Sequence, residues 1–521
     1  MAEPYYITTA IAYPNGKPHI GHAYEAIAAD AIARFQRMRG RAVRLVTGTD
    51  EHGLKMAQTA RDAGRDTLEF ATEMSNYFRA MCDALNISYD DFCRTTEPRH
   101  RAASEAIWQA LEAAGDLYLD RYEGWYSVRD EAFYDESELI DGEGGQRLSP
   151  QGTPVEWTVE ESWFFRLSKY RDYLIELNES AGFLEPESRR NEVLSFLKGN
   201  DLRDLSVSRT SFAWGVPVPG SDGHVMYVWV DALTTYLTGI GFPEREGDFA
   251  RFWPADLHLI GKDIVRFHAV YWPAILKSAG LAPPRAIFGH GFLLHRGEKM
   301  SKSLGNVVDP LELAERFGVD QLRYFLLREV SFGQDGSYSA EAIVTRCNAE
   351  LANSFGNLAQ RVLSLVFKNL GGELPECADE LVSVDNFSGS LRTMLVENML
   401  PQFERLNFTQ ALDVWMRAVF GCNQYIDTMA PWSLKKTDPE LMKEVLGVLF
   451  KAIHDLAIAI HPIVPGSADR LLNQMGIPVG ERDFSALADD SWYDRLRASG
   501  FRLAQPVGVF PRLELPAEVS A

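Results

Sequence analysis

The chain has 521 residues, of which 46% are hydrophobic and 24% charged, and its 73 acidic and 52 basic side chains give a net charge of −21. This length predicts two to four domains, and the acidic balance argues against indiscriminate nucleic-acid binding. We expect neither a membrane span nor a signal peptide, because no run of eighteen apolar residues exists and the first residues run directly into a strand pattern. None of the five cysteines lies in a Cys-x-x-Cys pair, which argues against a disulfide framework and favours a reducing cytoplasm.

Short apolar, β-branched runs predict the strands of a sheet. They cover residues 5–12, 43–47, 256–260 and 286–292, and each ends in a loop rich in Gly, Asn or Asp. The segment "GHAYEAIAADAIARFQRMRG" carries one apolar face at helical spacing, and Gly40 is placed to end that helix. Strand, loop and helix in alternation favour a parallel α/β sheet, in which ligands bind beyond the carboxyl ends of the strands.

The sheet pattern occurs in two blocks, and a helical pattern follows them. We predict residues 1–115 and 224–292 as two halves of one α/β domain, separated by a turn-rich insertion over 116–223. Residues 293–345 hold a lysine-rich loop, and residues 346–521 read as a helical bundle with an acidic linker near 371–388.

The stretch "AYPNGKPHIGHAYE" places His19 and His22 three residues apart at the start of a helix that begins near Pro18. Unpaired backbone N–H groups and the positive end of the helix dipole favour anions there. Two imidazoles beside such a site could donate to phosphate oxygens. The alternative is a helix start with two incidental histidines.

Further candidates follow other strands. Asp50 in "VTGTDEHG" and Asp263 in "HLIGKDIVRFH" are acids at strand ends, although either could be a helix cap. Gly261 would let the backbone approach a ligand. In "MYVWVDALTTYLTG", composition alone favours the core for Trp229 and Tyr236, because aromatic side chains usually pack inside.

The loop "GEKMSKSLGN" has no hydrophobic period, which predicts an exposed loop. Lys299 and Lys302 are point charges suited to gripping phosphates. The simpler interpretation is a solvated surface turn. Together with the histidine helix start, the loop would supply two sides of one nucleotide site.

Two of these motifs carry a family resemblance. "HIGH" (His19–His22) and "KMSKS" (Lys299–Ser303) resemble the two signatures of class I aminoacyl-tRNA synthetases. Beyond the signatures, "TGTDEHGLKM", "YVWVDALTTY", "IGKDIVRFHAVYWPAIL", "FGHGF" and "APW" resemble the methionyl-tRNA synthetases, and the resemblance covers nearly the whole chain.

The resemblance implies a split Rossmann-type parallel-sheet catalytic domain with a connective-peptide insertion, followed by an α-helical anticodon-binding bundle. Residues 293–345 would be the KMSKS loop and stem-contact region. The implied enzyme is a methionine–tRNA ligase that converts L-methionine and ATP, with Mg²⁺, to methionyl-adenylate and pyrophosphate, and then charges tRNA(Met). The implied ATP residues are His19, Gly21, His22, Gly261, Asp263, Lys299, Ser301 and Lys302.

The other implied sites bind methionine and tRNA. Asp50 would hold the methionine ammonium group, and the implied side-chain pocket consists of Ile11, Tyr13, Trp229, Ala232, Leu233, Tyr236, Ile287 and His290. The implied anticodon-binding residues are Asn357, Arg361, Pro431 and Trp432. Trp432 could stack on an unpaired base, whereas its simpler interpretation is a buried bundle residue.

The chain departs from the family pattern in two places. Many relatives carry a zinc knuckle in the insertion, but the matching positions here are Ser127, Asp130, Ser149 and Gly152, which cannot form a soft tetrahedral site. We therefore predict a knuckle without metal. Some relatives have proline at the position of Leu233, which leaves the pocket intact. Since the chain stops soon after the bundle, we expect a monomer that has no DNA or membrane partner.

Two rival functions are weaker. Class I synthetases for isoleucine, leucine and valine normally insert a large editing domain, and the insertion here is too short for one, while a cysteine enzyme should show zinc-binding thiols. A non-catalytic RNA-binding protein derived from a synthetase should have lost signature residues, whereas His19, His22, Lys299 and Lys302 are intact.

Overall fold

A computed structural model describes residues 2–130, 132–142, 145–199, 201–295, 298–299, 308–376, 387–489 and 491–515. Within these ranges no helix is both long and apolar enough to cross a bilayer. Four cysteines in them, Cys82, Cys93, Cys347 and Cys422, are buried free thiols.

The first part of the chain alternates strand and helix as the sequence predicts. Its elements are β1 Pro4–Thr9, α1 Ile20–Met38, β2 Ala42–Thr49, α2 Leu54–Asp62, α3 Thr67–Ala84, β3 Asp91–Arg94 and α4 Pro98–Ala113. Helix α1 is the predicted amphipathic helix, and Gly40 follows its carboxyl end at φ +79°. That left-handed conformation favours glycine, which explains why the helix ends there.

The insertion is built on a long antiparallel hairpin. Its elements are β4 Leu117–Ser127, β5 Ala132–Tyr134, β6 Ile140–Asp141, β7 Arg147–Leu148, β8 Glu156–Phe165, α5 Arg171–Glu179, β9 Leu184–Glu185, α6 Glu187–Gly199, β10 Leu205–Ser206 and β11 Ser208–Arg209. Strands β4 and β8 pair from Leu117 opposite Phe165 to Tyr126 opposite Glu156. The turn region of the insertion, between β4 and β8, therefore lies at the far end of this hairpin.

The second half of the α/β domain completes the sheet. Its elements are β12 Val225–Met226, α7 Val228–Thr238, α8 Asp248–Phe252, β13 Leu257–Gly261, α9 Trp272–Ser278 and β14 Ile287–His290. In the described residues the sheet order is β3-β2-β1-β13-β14-β9, and every neighbouring pair is parallel. This confirms the predicted fold class. Strand β9 comes from the insertion, which thus adds an edge strand to the catalytic sheet.

After the sheet come a small β unit and the helical bundle. Their elements are β15 Leu293–His295, β16 Glu298–Lys299, α10 Pro310–Phe317, α11 Val319–Glu329, β17 Gly336–Tyr338, α12 Ala340–Cys347, α13 Asn357–Leu370, α14 Phe387–Thr393, α15 Leu400–Glu404, α16 Phe408–Met429, α17 Pro431–Thr437, α18 Pro439–Ile460, α19 Pro465–Gln474 and α20 Ser491–Ala498. Wider π-helical turns over Asn348–Gly356 join α12 to α13 at the start of the predicted bundle.

A buried arginine joins the bundle to the α/β domain. Arg323 on α11 is fully buried and donates to Asp30 on α1 at 2.6 Å. The same guanidinium donates to the carbonyl oxygens of Leu85, Pro462 and Ile463 at 3.2, 3.1 and 2.9 Å. Burial would raise the pKa of Asp30, but the charges of Arg323 and Arg34 and the hydrogen bonds from Ser88 lower it below its usual value. The carboxylate is therefore ionised and paired.

Candidate active site

A cleft of about 470 Å³ opens at the carboxyl ends of β1, β2, β13 and β14. Most of the residues singled out from the sequence line it. They are Ile11, Tyr13, His19, Gly21, His22, Asp50, Trp229, Ala232, Leu233, Tyr236, Gly261, Asp263 and His290. Segments as far apart in sequence as β1 and β14 thus contribute to one cavity.

Some predicted residues are elsewhere. Ile287 on β14 is fully buried in the hydrophobic core that includes Tyr236, and it is not part of the cleft lining. Ser301 and Lys302 lie outside the described residues, and only the backbone of Lys299 is described, in β16.

The two histidines form the tip of α1. His19 is the N-cap residue, and its Nδ1 accepts from the N–H of Gly21 at 3.1 Å. The bond is reciprocal, since Nδ1 of His22 accepts from the N–H of His19 at 3.1 Å. The rings stack with centroids 3.8 Å apart. Since each Nδ1 is an acceptor, each neutral ring carries its proton on Nε2, which leaves Nε2–H as the ring donor.

A glycine between the histidines lets the rings lie this close. A Cβ atom on Gly21 would come within 2.9 Å of the His19 ring. The side chain of His22 meets Phe78 on α3 edge-on at 5.0 Å. The two imidazoles therefore have a fixed orientation at the positive end of the α1 dipole, which favours an anion. The first N–H groups of α1, from Ile20 to Ala23, are already bonded within the chain, so the unpaired N–H groups expected from the sequence are not found there.

Both flanks of the lysine loop lie beside the cleft. Strand β16 pairs with β15 so that Lys299 is opposite Leu294, one residue from the cleft-lining Leu293. On the other flank, the carbonyl of Val308 accepts from the N–H of Ile20 at 3.0 Å, at the tip of α1. The chain on either side of residues 300–307 is thus held at the cleft.

Asp50 and Tyr13 are fixed on neighbouring segments. The N–H of Asp50 donates to the carbonyl of Ala12 at 2.8 Å, which ties the loop after β2 to the one after β1. The Tyr13 hydroxyl accepts from the N–H of Met56 at 2.9 Å, and the ammonium group of Lys55 lies 5.5 Å from the Tyr13 ring centre. Asp50 is buried at 9% exposure, so its carboxylate faces a space that is largely shielded from water.

Aromatic side chains of α7 form the opposite wall. The Trp229 ring stacks on Phe267 with centroids 3.8 Å apart, and it meets His268 edge-on. The Tyr236 hydroxyl bonds to Nε2 of His268 at 2.6 Å, while Nδ1 of His268 contacts the carbonyl of Ile264 at 2.9 Å. Burial lowers the pKa of His268 to about 4. His268 is therefore neutral, donates from Nδ1 and accepts from Tyr236, which leaves this wall uncharged.

A hydrogen-bonded pair of titratable side chains, Glu25 and His290, also lines the cleft. Nε2 of His290 is 2.8 Å from Glu25 on α1, and Nδ1 of His290 is 2.8 Å from the carbonyl of Gly291. Burial would lower the pKa of His290, but the hydrogen bond and charge of Glu25 raise it above its usual value. Gly261 ends β13 and Asp263 lies in the 3₁₀ turn that follows, and both line the same side of the cleft.

Several lining residues were not predicted from the sequence. Glu25, Lys55, Arg129 and His268 all line the cleft. Glu25 could have been found, because it lies three residues after His22 and so shares the face of α1. His268 and Arg129 have no comparable local signal, since His268 lies within a π-helical turn and Arg129 lies in the insertion.

The turn region of the insertion is held by hydrogen bonds around one carboxylate. Asp130 accepts from the hydroxyls of Ser149 at 2.7 Å and Tyr134 at 3.0 Å, and also from Thr153. The Ser127 hydroxyl contacts that of Thr153 at 2.8 Å. Ser127, Asp130 and Ser149 are three of the four positions that were matched above to the zinc knuckle. The fourth, Gly152, lies in the same turn at φ +76°. Over the ranges that the structure describes, no three His, Cys, Asp or Glu side chains converge on a possible metal site.

The predicted anticodon residues come together on the bundle. Asn357 is exposed at the start of α13, and Arg361 lies one turn further along. Arg361 lies over the Trp432 ring at 5.4 Å and bonds to Asp427 at 2.8 Å. Trp432 is 46% exposed, whereas Pro431 is buried at the start of α17. Trp432 is thus a surface residue and not part of the bundle core.

Comparison with known proteins agrees with this geometry. Residues 5–363 match the family model of class I tRNA synthetases (M), and residues 387–514 match the anticodon-binding domain of methionyl tRNA ligase. Similar curated proteins include methionine–tRNA ligases of Mesorhizobium japonicum and Rhizobium meliloti, each 54% identical over 98% of this chain and 98% and 99% of the relative.

Solved structures are similar as well. The Mycobacterium tuberculosis methionyl-tRNA synthetase in complex with methionyl-adenylate has a TM-score of 0.92 at 52% identity and covers 98% of this chain and 100% of its own. The apo form of that enzyme gives 0.86 at 48% identity, with 99% of both chains covered. The chain therefore belongs to the methionyl-tRNA synthetases, the methionine–tRNA ligases of class I.

Proposed function

We propose that the cleft between the tip of α1 and the aromatic wall of α7 is where this methionyl-tRNA synthetase activates methionine and charges tRNA(Met). The enzyme uses ATP, and we propose that ATP enters as its magnesium complex, so that the ion arrives with the substrate. The carboxylate of methionine attacks the α-phosphorus of ATP, and pyrophosphate leaves. Such a reaction depends on positioning and charge stabilisation and needs no covalent protein nucleophile.

The nucleotide is assigned to the α1 side of the cleft. His19 and His22 would donate from Nε2–H to the phosphates, at the positive end of the α1 dipole. Lys299, Ser301 and Lys302 would neutralise the leaving pyrophosphate. Gly261 and Asp263 would hold the ribose, with Gly21 giving the backbone room.

Methionine is assigned to the side that α7 closes. Asp50 would bind the ammonium group, and Tyr13, Trp229 and Tyr236 would surround the side chain together with Ile11, Ala232, Leu233 and His290. An uncharged aromatic wall suits a polarisable thioether. Because one methylene is worth only about 1–3 kcal/mol, close fit and not polarity would separate methionine from similar amino acids. Ile287 would act from behind this wall, as a core residue.

The bundle is assigned to the anticodon. Asn357, Arg361 and Trp432 would form the anticodon-binding surface, with the buried Pro431 directly before Trp432 in sequence, and the exposed Trp432 ring would offer a face for base stacking. We also propose the domain limits 1–115, 116–223, 224–292, 293–345 and 346–521, and an insertion without structural zinc.

Other properties follow from the same assignment. We also propose that the enzyme is a monomer without a DNA or membrane partner. Charging of tRNA for translation and the free thiols support a cytoplasmic location. Light scattering of the purified enzyme tests the monomer by its molar mass, expected to be 58.5 kDa.

The observation that carries the proposal is that both flanks of the lysine loop are held at the cleft, by Leu294 opposite Lys299 and by Val308 bonded to Ile20. The test is Lys302→Ala in methionine-dependent ATP–pyrophosphate exchange. We expect activation to fall at least about tenfold, which corresponds to roughly 1.4 kcal/mol of barrier.

A matched control is Lys198→Ala, which removes a lysine from an exposed ion pair with Glu179. That variant should keep full activity. A Lys302→Ala enzyme as active as this control, or a wild-type enzyme that activates isoleucine, leucine, valine or cysteine in preference to methionine, would refute the proposal.

A further inference from the structure

Helix α7 presents one face to the cleft and the other to a buried charged cluster. Ala232, Leu233, Tyr236 and Trp229 line the cleft. At about 100° per residue, these positions lie about 100–200° around the helix axis from Asp231. Asp231 therefore projects from the back of the same two helical turns whose front forms the aromatic wall.

Two histidines from other elements hold this carboxylate. Nδ1 of His52, in the loop after β2, is 2.6 Å from one oxygen of Asp231, and Nε2 of His100 on α4 is 2.5 Å from the other. Asp231 is 1% exposed and His100 is fully buried. Burial would raise the pKa of Asp231, but the charges and hydrogen bonds of His52 and His100 lower it to about 2. The carboxylate is thus ionised, and both imidazoles donate to it.

The cluster connects the two halves of the methionine pocket. His52 lies two residues after Asp50 in the same short loop, and Asp231 lies directly before Ala232. His52 also packs edge-on against Trp214, whose Nε1–H donates to the carbonyl of Glu51 at 2.7 Å. The loop is thereby fixed to the back of α7 on one side, while Asp50 faces the front of the cleft on the other.

We infer that Asp231 is a positioning residue for methionine, which uses His52 and His100 to set the separation between Asp50 and the aromatic wall of α7. The inference rests on the proposed function, in which Asp50 binds the ammonium group and α7 lines the side-chain pocket. Asp231 does not touch the substrate. Its loss shifts the two parts of the pocket relative to each other, and a shift of even 1 Å from a remote change can lower a rate about 10²-fold. The nucleotide side, assigned to the tip of α1 and the end of β13, stays as it is.

The test compares KM for methionine with KM for ATP in pyrophosphate exchange by the full-length enzyme. Asp231→Asn keeps the shape of the side chain and removes its charge. We expect KM for methionine to rise about tenfold or more, with KM for ATP changed less than about twofold. If Asp231 only supports the fold, its substitution would lower the melting temperature and leave the ratio of KM for methionine to KM for ATP unchanged.

A second pair of variants serves if Asp231→Asn folds poorly. His52→Asn keeps a donor near the position of Nδ1, whereas His52→Leu has similar bulk and no donor. We expect His52→Leu to raise KM for methionine, and we expect KM for methionine of His52→Asn to stay close to the wild-type value. Asp320→Asn is the matched control, because Asp320 is another buried carboxylate, bonded to the N–H and hydroxyl of Ser467 at 2.5 and 2.6 Å and far from the cleft in sequence and contacts. It should lower stability only.

The outcomes separate this inference from the assignment of the pocket. If Asp50→Asn raises KM for methionine but Asp231→Asn and His52→Leu do not, Asp231 has no positioning role and the pocket stands. If Asp50→Asn leaves KM for methionine unchanged, the pocket assignment fails, and the inference fails with it. If Asp231→Asn raises KM for methionine and KM for ATP equally, the positioning role of Asp231 is also overturned.

Discussion

His19 has two functions that can be separated by substitution. Its Nδ1 caps α1 through the N–H of Gly21, and its Nε2–H is the proposed phosphate donor. Asparagine places an oxygen near the position of Nδ1 and has nothing at Nε2. Glutamine reaches the position of Nε2 but cannot cap in the same way, and alanine does neither.

The two losses have different sizes and different readouts. Removal of an N-cap costs about 1 kcal/mol of stability. Removal of one donor aimed at charge that develops in the transition state costs about 10²–10³-fold in rate. We therefore expect His19→Asn to activate methionine at least about 10²-fold more slowly with unchanged stability. His19→Gln should lose about 1 kcal/mol of stability but keep a rate within about tenfold of the wild type, and His19→Ala should show both defects.

Rates come from ATP–pyrophosphate exchange at saturating methionine and ATP, and stability comes from urea unfolding of the same preparations. The reasoning is refuted if His19→Asn is as active as the wild type, or if activity across the three variants follows their stability alone. The first result would mean that Nε2 does not contact the phosphates. The second would mean that the histidine acts only through the helix.

Four further outcomes follow from the structure. Arg323→Met should cost about 3–5 kcal/mol in urea unfolding, because it leaves Asp30 as a buried charge with a lost partner; a loss below about 1 kcal/mol would contradict the pairing. Trp432→Ala should raise KM for tRNA in aminoacylation and leave pyrophosphate exchange unchanged; a defect in exchange would contradict an anticodon role. Because the folded-state pKa of Asp231, about 2, lies below its ordinary 3.8, its ionised form contributes stability that is fully present above about pH 4 and lost as the pH falls towards 2. The stability difference between wild type and Asp231→Asn should therefore shrink over that window, and a difference that grows would contradict the sign. Metal analysis should find no bound zinc, and prior treatment with a zinc-selective chelator should leave activity unchanged when the assay contains excess Mg²⁺. Asp130→Ala should lower stability by about 1–3 kcal/mol.

Local sequence patterns predicted the parts of the fold that depend on periodicity and local chemistry. The apolar runs became β1, β2, β13 and β14, and the amphipathic segment became α1 with Gly40 after its end. His19 and His22 were predictable at the helix start because the turn and the glycines that place them are adjacent in sequence.

Features that depend on contacts between distant residues were not predictable. Strand β9 has two residues, too few for any period, and it joins the sheet only because α6 and β14 hold it there. For Tyr236, composition favoured the core and the family resemblance favoured the pocket. The residue is both, since it is 2% exposed and lines the cleft. Ile287 shows the opposite outcome, because an apolar residue at a strand end can face either a pocket or the core, and here it faces the core. The bond between Glu25 and His290 joins residues 265 positions apart.

The buried guanidinium of Arg323 links elements of the bundle to the helix that borders the cleft. One side chain bonds at once to α1, to the residue after α3 and to the turn that follows α18. At this point the bundle and the helix that carries both signature histidines are held by the same buried side chain. Loss of Arg323 would therefore disturb the seating of the bundle and the position of α1 together.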